Sequence, residues 1–488
     1  MNTQGNGRTE HTICVKDHKG NRGMNRKWFF LGSFLLSLSI LLTAIYQVQT
    51  QAQMQLATDC TLYASPTGSD ANNGTSPSTP KTLSGATTAA TSGAVLCVMG
   101  GTYNIAATIF IPHSGTAWTA GNFITMKAYG DNTPILNWTG GSSSGGILQF
   151  FGNGSPPFNG KSYYEINGLT LQGNGAAGTG ISAPLRCQNS HHIRYINNTI
   201  LNAGAGGITT SGCDYVHVEG NIIYKAGYNQ GFSSGISFNS PGFFNATAGF
   251  HSYVLRNTIS GSFDASTNHS DGNGISMDLS DGVNNIANAN TPAVLIANNV
   301  VFQNGGRCIQ TLAVSDIWVV NNSCFGNVED STLSSYSGTG ELVTNNSVNG
   351  YWVNNVCHAF ASHDCYQKLS SNTNITYRNN LRWLGAVNFS PGGSDNFLNA
   401  NPLYKDPPTA VVDGQSSAVH PLAASNRQRF IVNAGSPAID AGINPASLSG
   451  LPAEIVTGLN QYATVDVRGL TRPQNTLWDL GAYEIACP

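Results

Sequence analysis

YINNTI at Tyr195–Ile200 decides the fold, because close copies of it return along the chain. They read VEGNII at Val218–Ile223, LRNTIS at Leu255–Ser260, IANNVV at Ile296–Val301, VNNSCF at Val320–Phe325, VNNVCH at Val353–His358 and YRNNLR at Tyr377–Arg382. Aligned on the last Asn of each, positions 198, 221, 257, 299, 322, 355 and 380 are separated by 23, 36, 42, 23, 33 and 25 residues. The shorter steps fit one coil of a solenoid, and the longer ones a coil with a loop inserted. A second strand precedes most copies: GIS at Gly180, GIT at Gly207, GIS at Gly235 and Gly274, and CIQ at Cys308. Alternation along these strands sends one side chain in two into the stack, where Ile, Val and Leu fill a dry core. Asn suits the turn because it tolerates the left-handed backbone region, and stacked amides hydrogen-bond along the axis. These Asn are therefore read as architecture. Cys324 and Cys357 each follow an Asn-Asn pair by two residues, so they should stack on adjacent coils, as a disulfide or as buried thiols.

Composition agrees. Only 10% of the 488 residues are charged, while Gly reaches 56. Such a chain has few charges with which to build helices, and its neutral polar surface suits an extended all-β solenoid. Residues 1–52 hold six Lys/Arg and two acids, which leaves 16 bases against 23 acids in the rest. An acidic body with scattered bases argues against nucleic acid as a partner.

The basic head precedes Trp28–Tyr46, a run without charge, and Thr50-Gln51-Ala52 offers small residues for a signal peptidase. Residues 1–52 are read as an export signal or a single N-terminal membrane anchor, so the protein is expected to be secreted or at the cell surface. Nine of ten Cys lie beyond this segment, where disulfides persist; Cys60 and Cys97 flank the first unit, and Cys187 and Cys213 lie 26 apart.

LYASPTGSDANNGTSPSTPKTLSGA (Leu62–Ala86) and GGTYNI (Gly100–Ile105) resemble the start of pectate-lyase-like right-handed parallel β-helix proteins. AGSPAIDAG (Ala434–Gly442), with VDVRGLTRPQ and WDLGAYE, is similar to the segment that often closes such helices. The resemblance implies a right-handed, single-stranded parallel β-helix. It spans lyases, hydrolases and proteins without a known reaction, so activity has to come from the site. The expected layout is 1–52 as signal or anchor, 58–405 as β-helix, and 406–488 as closing coils and cap, in a monomer.

SFDASTNHSDGNGISMDLSDG (Ser262–Gly282) departs from the repeat and packs Asp264, His269, Asp271, Asp278 and Asp281 into a chain poor in charge. Ile275 and Met277 have inward parity, so Ser276 and Asp278 should face out. Arg307 falls at the position aligned with Asn273, and Asp364 falls there two coils later. Removing the C5 proton of a uronate requires neutralising its carboxylate, which Ca²⁺ held by several carboxylates does, while a base takes the proton. Asp271 and Asp278 are the expected calcium ligands, with Asp264 or Asp281 as a third, and Arg307 is the candidate base or carboxylate clamp. Calcium-dependent pectate lyases, as the resemblance implies, use clustered Asp and a Lys or Arg. Here no adjacent acidic pair lies in the cluster; Glu329-Asp330 is such a pair, but beyond the next coil's turn, and the next Lys on a strand is Lys368.

Acid–base hydrolysis by Asp271 and Asp278, assisted by His269, is the rival enzymatic reading. A surface or adhesion protein that only binds polysaccharide is the rival of another class. His191-His192 are read as solvated turn residues, and Tyr224, Tyr228, Phe232 and Phe243–Phe244 as cover for the helix side. Asp440, Asp466, Arg468 and Asp479 are read as a capping network.

Overall fold

The computed structural model describes residues 60–486 except 131–132, 142, 155–157, 175–180, 229–232, 280–291, 334–338, 361–362 and 410–417. Residues 1–52, expected to be an export signal or anchor, and Asp281, Phe232, Cys14 and Cys487 lie outside the described residues.

Three sheets run the length of residues 60–399, and every pair of neighbouring strands in them is parallel. One coil shows the plan. Ile208–Ser211 lies in the second sheet, Asp214–Glu219 in the first and Ile222–Tyr224 in the third, and Ser234–Asn239 then returns to the second. The chain is thus a right-handed parallel β-helix.

Inward side chains stack coil on coil. Tyr195, Val218, Val254, Ile296, Val319, Trp352 and Tyr377 form one buried column in the first sheet. Leu185, Ile208, Ile236, Ile275, Ile309 and Leu342 form another in the second. Neighbouring strands are about 4.8 Å apart, so identical apolar side chains at one register meet in van der Waals contact and exclude water.

The Asn pairs divide their labour. The first position takes the left-handed backbone: φ is +53° at Asn197, +58° at Asn298, +52° at Asn321 and +58° at Asn354, with Gly220 and Arg256 standing in on their own coils. The second position forms the ladder. Asn198, Asn221, Asn257, Asn299, Asn322 and Asn355 each donate from the side-chain amide to the Oδ1 of the Asn on the next coil, at 2.9–3.1 Å. Each also donates its backbone N–H to that same oxygen. All seven Asn, through Asn380, are fully buried. A shorter second ladder runs from Asn304 to Asn327 and ends on Glu341, whose two oxygens accept the Asn327 amide and backbone N–H at 2.7 Å each. Burial pushes the Glu341 carboxyl up to about 8.

Four disulfides cross the described coils: Cys60–Cys97, Cys187–Cys213, Cys308–Cys324 and Cys357–Cys365. Cys324 and Cys357 do stack in register. Each nonetheless bonds across its own part of the coil interior, to Cys308 and Cys365, rather than to the other. Such bonds persist in an oxidising compartment and indicate an extracellular protein. No helix among the described residues is long and apolar enough to cross a membrane.

Residues after Asn399 add no strand to the three sheets among the described residues. The segment read as closing coils instead runs back along the flank. Helix Ala453–Tyr462 buries Ile455 and Leu459 against Phe250, Leu295, Trp318 and Val353 on the outer face of the first sheet. Tyr404, Phe430, Leu480 and Tyr483 cover Phe302, Phe325 and Val356 on the outer face of the third. This cover explains why Ala293–Ala297 and Ile317–Val320 are buried at every position instead of alternating. The acidic residues read as a capping network serve it. Arg472, wholly buried, pairs with Glu484 at 2.8 Å and donates to Asn298 Oδ1, while Asn321 donates to the carbonyls of Asp479 and Gly481. The outer face of the second sheet carries polar side chains together with the exposed rings of Phe110 and Phe151.

Candidate functional site on the outer face of the second sheet

Strand Asn273–Asp278 lies in the middle of that uncovered face. Its alternation is the one read from sequence: Ile275 and Met277 are core, and Ser276 and Asp278 point out. Register pairs Ser276 with Ser237 on one side and with Gln310 on the other, and Asp278 with Asn239 and Leu312. Arg307 lies beside Asn273: its N–H donates to Asn273 Oδ1 at 2.7 Å, and its carbonyl accepts from Gly274 at 2.8 Å.

The loop that enters this strand is tied from beneath. Asp264 is fully buried and accepts from the backbone N–H of Ser266 at 3.0 Å and of Ser270 at 2.8 Å. It organises the turn from below the surface. Ser270 Oγ donates onward to Asp271 Oδ2 at 3.1 Å, and Asn273 Nδ2 donates to Asp271 Oδ1 at 2.7 Å. Gly306 is needed here for close approach. A Cβ at that position would stand 2.3 Å from the Asp271 carbonyl oxygen and 2.5 Å from Asn273 Oδ1.

Three charged groups share the site. Burial pushes the Asp278 carboxyl up to about 7, and repulsion from Asp271 adds to it, against hydrogen bonds from Ser276 Oγ (2.8 Å) and Gln310 Nε2 (3.4 Å). Burial also raises Asp271, opposed by the Arg307 charge. Arg307 itself is 7% exposed; burial lowers its pKa while Asp271 and Asp278 raise it. A carboxyl that holds its proton near neutrality beside a second carboxyl and a guanidinium is suited to proton transfer.

His269 sits at the rim, in the left-handed region at φ +41°, with its side chain 33% exposed. Its Nδ1 is 3.3 Å from Asp330 Oδ2 and 2.9 Å from Thr332 Oγ1. Asp330 is one of the acidic pair set aside in the sequence as lying beyond the next turn. The Gly326–Leu333 loop runs beside 303–308, with Glu329 N donating to Asn304 and Asp330 N to Gly305, and this carries Asp330 back to His269. The sequence offered only the adjacency of Glu329 and Asp330 as a signal. Lys368 lies away from the site, over the rings of Tyr377 and Phe389 in the last coils, and Asp364 lies two coils beyond Arg307 in the same register.

Among the described residues no three His, Cys, Asp or Glu side chains gather as a metal-binding group. Asp281, the other carboxylate expected as a third calcium ligand, lies outside the described residues.

A second polar cluster occupies the outer face of the first sheet. His191 and His192 are packed rather than solvated: Tyr163, His192, Tyr215 and His251 stack in one column with ring centroids 3.9–4.5 Å apart, and Phe244 lies on His191 at 3.9 Å. His251 Nδ1 is 2.8 Å from Asp214 Oδ2, which also accepts from the Phe244 N–H. The ring faces are covered by one another, so the column serves to pin the loop at 243–249.

No family model matches the chain. The uncharacterized protein YwoF of Bacillus subtilis (strain 168) is 33% identical over 112 residues, which is 23% of this chain; the chain spans about a fifth (22%) of that relative's length. Among solved structures, pectate lyase Pel9A is similar with a TM-score of 0.45 at 15% identity, over 87% of this chain and 96% of its own. A rhamnogalacturonan lyase gives 0.37 at 12%, over 76% and 99%. The GH136 lacto-N-biosidase from Eubacterium ramulus gives 0.40 at 12%, over 72% and 69%. With three all-parallel sheets and an asparagine ladder, the chain is a right-handed parallel β-helix.

Proposed function

We propose that the protein is an extracellular carbohydrate-active enzyme that cleaves a uronate-containing polysaccharide by β-elimination on the outer face of the second sheet. The observation that carries this reading is the grouping of Asp271, Asp278 and Arg307, two carboxyls of raised proton affinity around a guanidinium. Hydrolysis of a neutral glycoside has no need of that cation. Elimination does, because the C5 proton of a uronate becomes acidic only when the adjacent carboxylate is neutralised. In this scheme Arg307 holds the carboxylate, and Asn273 fixes Asp271 and the Arg307 backbone beneath it. His269, oriented by Asp330, takes the C5 proton, the C4–O4 bond breaks as the C4–C5 double bond forms, and protonated Asp278 gives its proton to the leaving oxygen.

Solved structures of similar fold include a pectate lyase, a rhamnogalacturonan lyase and an alginate lyase, which accords with polymers of this class. The raised Asp278 also favours a second reading, hydrolysis with Asp278 as acid and Asp271 as base.

The test is ultraviolet absorbance of unsaturated products over a panel of acidic polysaccharides, with calcium and with chelator. Absorbance that persists in chelator and is lost in Asp278→Asn and His269→Ala supports elimination. Reducing ends without absorbance would establish hydrolysis, and binding with neither would make the protein an adhesin. Loss in chelator would return calcium to the scheme.

A further inference from the structure

The same outward face carries a second concavity, nearer the N-terminal coils. It encloses 840 Å³ and is walled by Phe110, Trp138, Gln149, Phe151, Arg186 and Gln188. Two of its walls are unusual for a soluble chain. Among the described residues three phenylalanines stand exposed, and two of them, Phe110 at 56% and Phe151 at 44%, are here, edge to face at 6.1 Å. Open aromatic surface gathered in a concavity marks a binding place more often than an accident of packing. Beside the rings, on an adjacent strand, Arg186 is half-buried with Nη2 3.5 Å from Gln188 Oε1. In a body with more acids than bases, a guanidinium set next to two apolar rings presents the two features of an acidic sugar: a carboxylate and a C–H face.

Register connects this pocket to the Asp278 cluster. Arg186 pairs with Thr209, Thr209 with Ser237, and Ser237 with Ser276, whose hydroxyl donates to Asp278. The parallel column from Gln188 passes through Ser211 and Asn239 to Asp278. Three strand spacings of about 4.8 Å put Arg186 roughly 14 Å along the column from Ser276, and a ring of an extended glycan advances by close to one such spacing. The side chains between are short hydroxyls and an amide, so the floor of the trough is level and polar.

We infer that the Phe110–Phe151–Arg186 pocket is a distal subsite for a uronate residue roughly three sugars from the bond at Asp278. This rests on the reading of that face as the site of cleavage. Arg186 takes the distal carboxylate in a forked hydrogen bond and the two rings pack against the sugar, so the protein reads chain length and favours oligomers that reach both places.

The experiment measures binding without turnover. The full chain carrying Asp278→Asn is titrated calorimetrically with galacturonate and mannuronate oligomers of two to six units, and with cellohexaose as the neutral control. The expected result is at least a tenfold gain in affinity from dimer to hexamer for one of the acidic series. Arg186→Gln and Phe151→Ala are each expected to reduce that gain below threefold, with Arg186→Lys between. Phe151 is exposed, so its variant keeps the test intact should Arg186→Gln fold poorly. A gain that survives both substitutions, no gain in either acidic series, or cellohexaose bound as tightly as a hexauronate would overturn the inference. Length-dependent binding by a protein that cleaves none of the polymers would sink the cleavage reading and leave this subsite standing. Cleavage without the length dependence would do the reverse.

Discussion

Replacing Asn257 by Ala tests whether the ladder holds the helix together. Asn257 accepts from the Asn221 backbone N–H at 2.9 Å and from the Asn221 amide at 3.0 Å, and it donates to Val218 O at 3.0 Å. It is fully buried, so no water replaces what is lost. Truncation leaves the Asn221 backbone N–H and the Val218 carbonyl without those bonds, while the Asn221 amide keeps the carbonyls of Tyr195 and Glu219. At about 1–3 kcal/mol for each of the two orphaned buried groups, the loss is roughly 2–6 kcal/mol, with the middle of that range the expected value. Asn197 makes the contrast. It is exposed and contributes mainly its left-handed backbone, so Asn197→Ala is expected to cost about 1–2 kcal/mol. Guanidinium unfolding with the disulfides intact, followed by the fluorescence of the buried Trp318 and Trp352, reads both. Asn257→Asp adds a sign. It keeps the acceptors for Asn221 but turns carboxylate oxygen toward Val218 O and Asn299 Oδ1, so it should be worse than Ala at neutral pH and recover on acidification. Equal losses at Asn197 and Asn257, or a loss under about 1 kcal/mol at Asn257, would refute the assignment of stability to the ladder.

The remaining predictions concern the buried acids and the packing beneath the site. Asp278 has its folded value raised to about 7 from an ordinary 3.8, so its proton-donor role is present below that value and fades as pH rises through it; the rate profile should show a basic limb near 7, and a flat profile from pH 6 to 9 would remove Asp278 as the acid. Glu341 is likewise raised to about 8 from 4.5, so its contribution to stability is whole below 4.5 and lost as pH rises toward and through 8. Glu341→Gln should abolish that slope, because a neutral amide completes the Asn304–Asn327 ladder; unfolding curves at pH 5 and 8.5 decide. Gly306→Ala should push Asp271 and Asn273 aside and cut turnover at least tenfold while the melting temperature falls by only a few degrees, and unchanged turnover would show that Asp271 needs no fixed position.

Much of the fold was legible because it repeats. The last Asn of each copy, read as architecture, is the ladder residue on every coil, and the parity assigned to Ile275, Ser276, Met277 and Asp278 is the observed one. Sequence reasoning gave the left-handed turn and the stacked amide to one residue, whereas two neighbours share them. What stayed hidden lies off the repeat. Asp330 reaches His269 only because its loop doubles back beside the preceding coil, and nothing in local spacing encodes that return. The pocket at Phe110 and Arg186 joins strands far apart in the chain, so neither residue looks unusual alone. Cys308 and Cys365 pair across the coil interior with Cys324 and Cys357, a choice between strands that a linear spacing leaves open.

The strap formed by the last eighty or so residues bears on when this protein can finish folding. Tyr224 and Ser260 bond to the carbonyls of Ala418 and Val419, Gln303 to Thr409 and Val419, and Asn354 to Ile443. Coils alone touch only their neighbours and are free to assemble in the order they emerge. The strap instead bonds several turns from the middle to the end of the helix at once, and it is made after all of them. A polypeptide threading outward from its N-terminus would therefore travel with a bare apolar flank until that segment arrived. Its passage would depend on whatever shields that flank in the interval, and a stop codon placed shortly after the last coil would yield a chain with every rung but no lasting solubility.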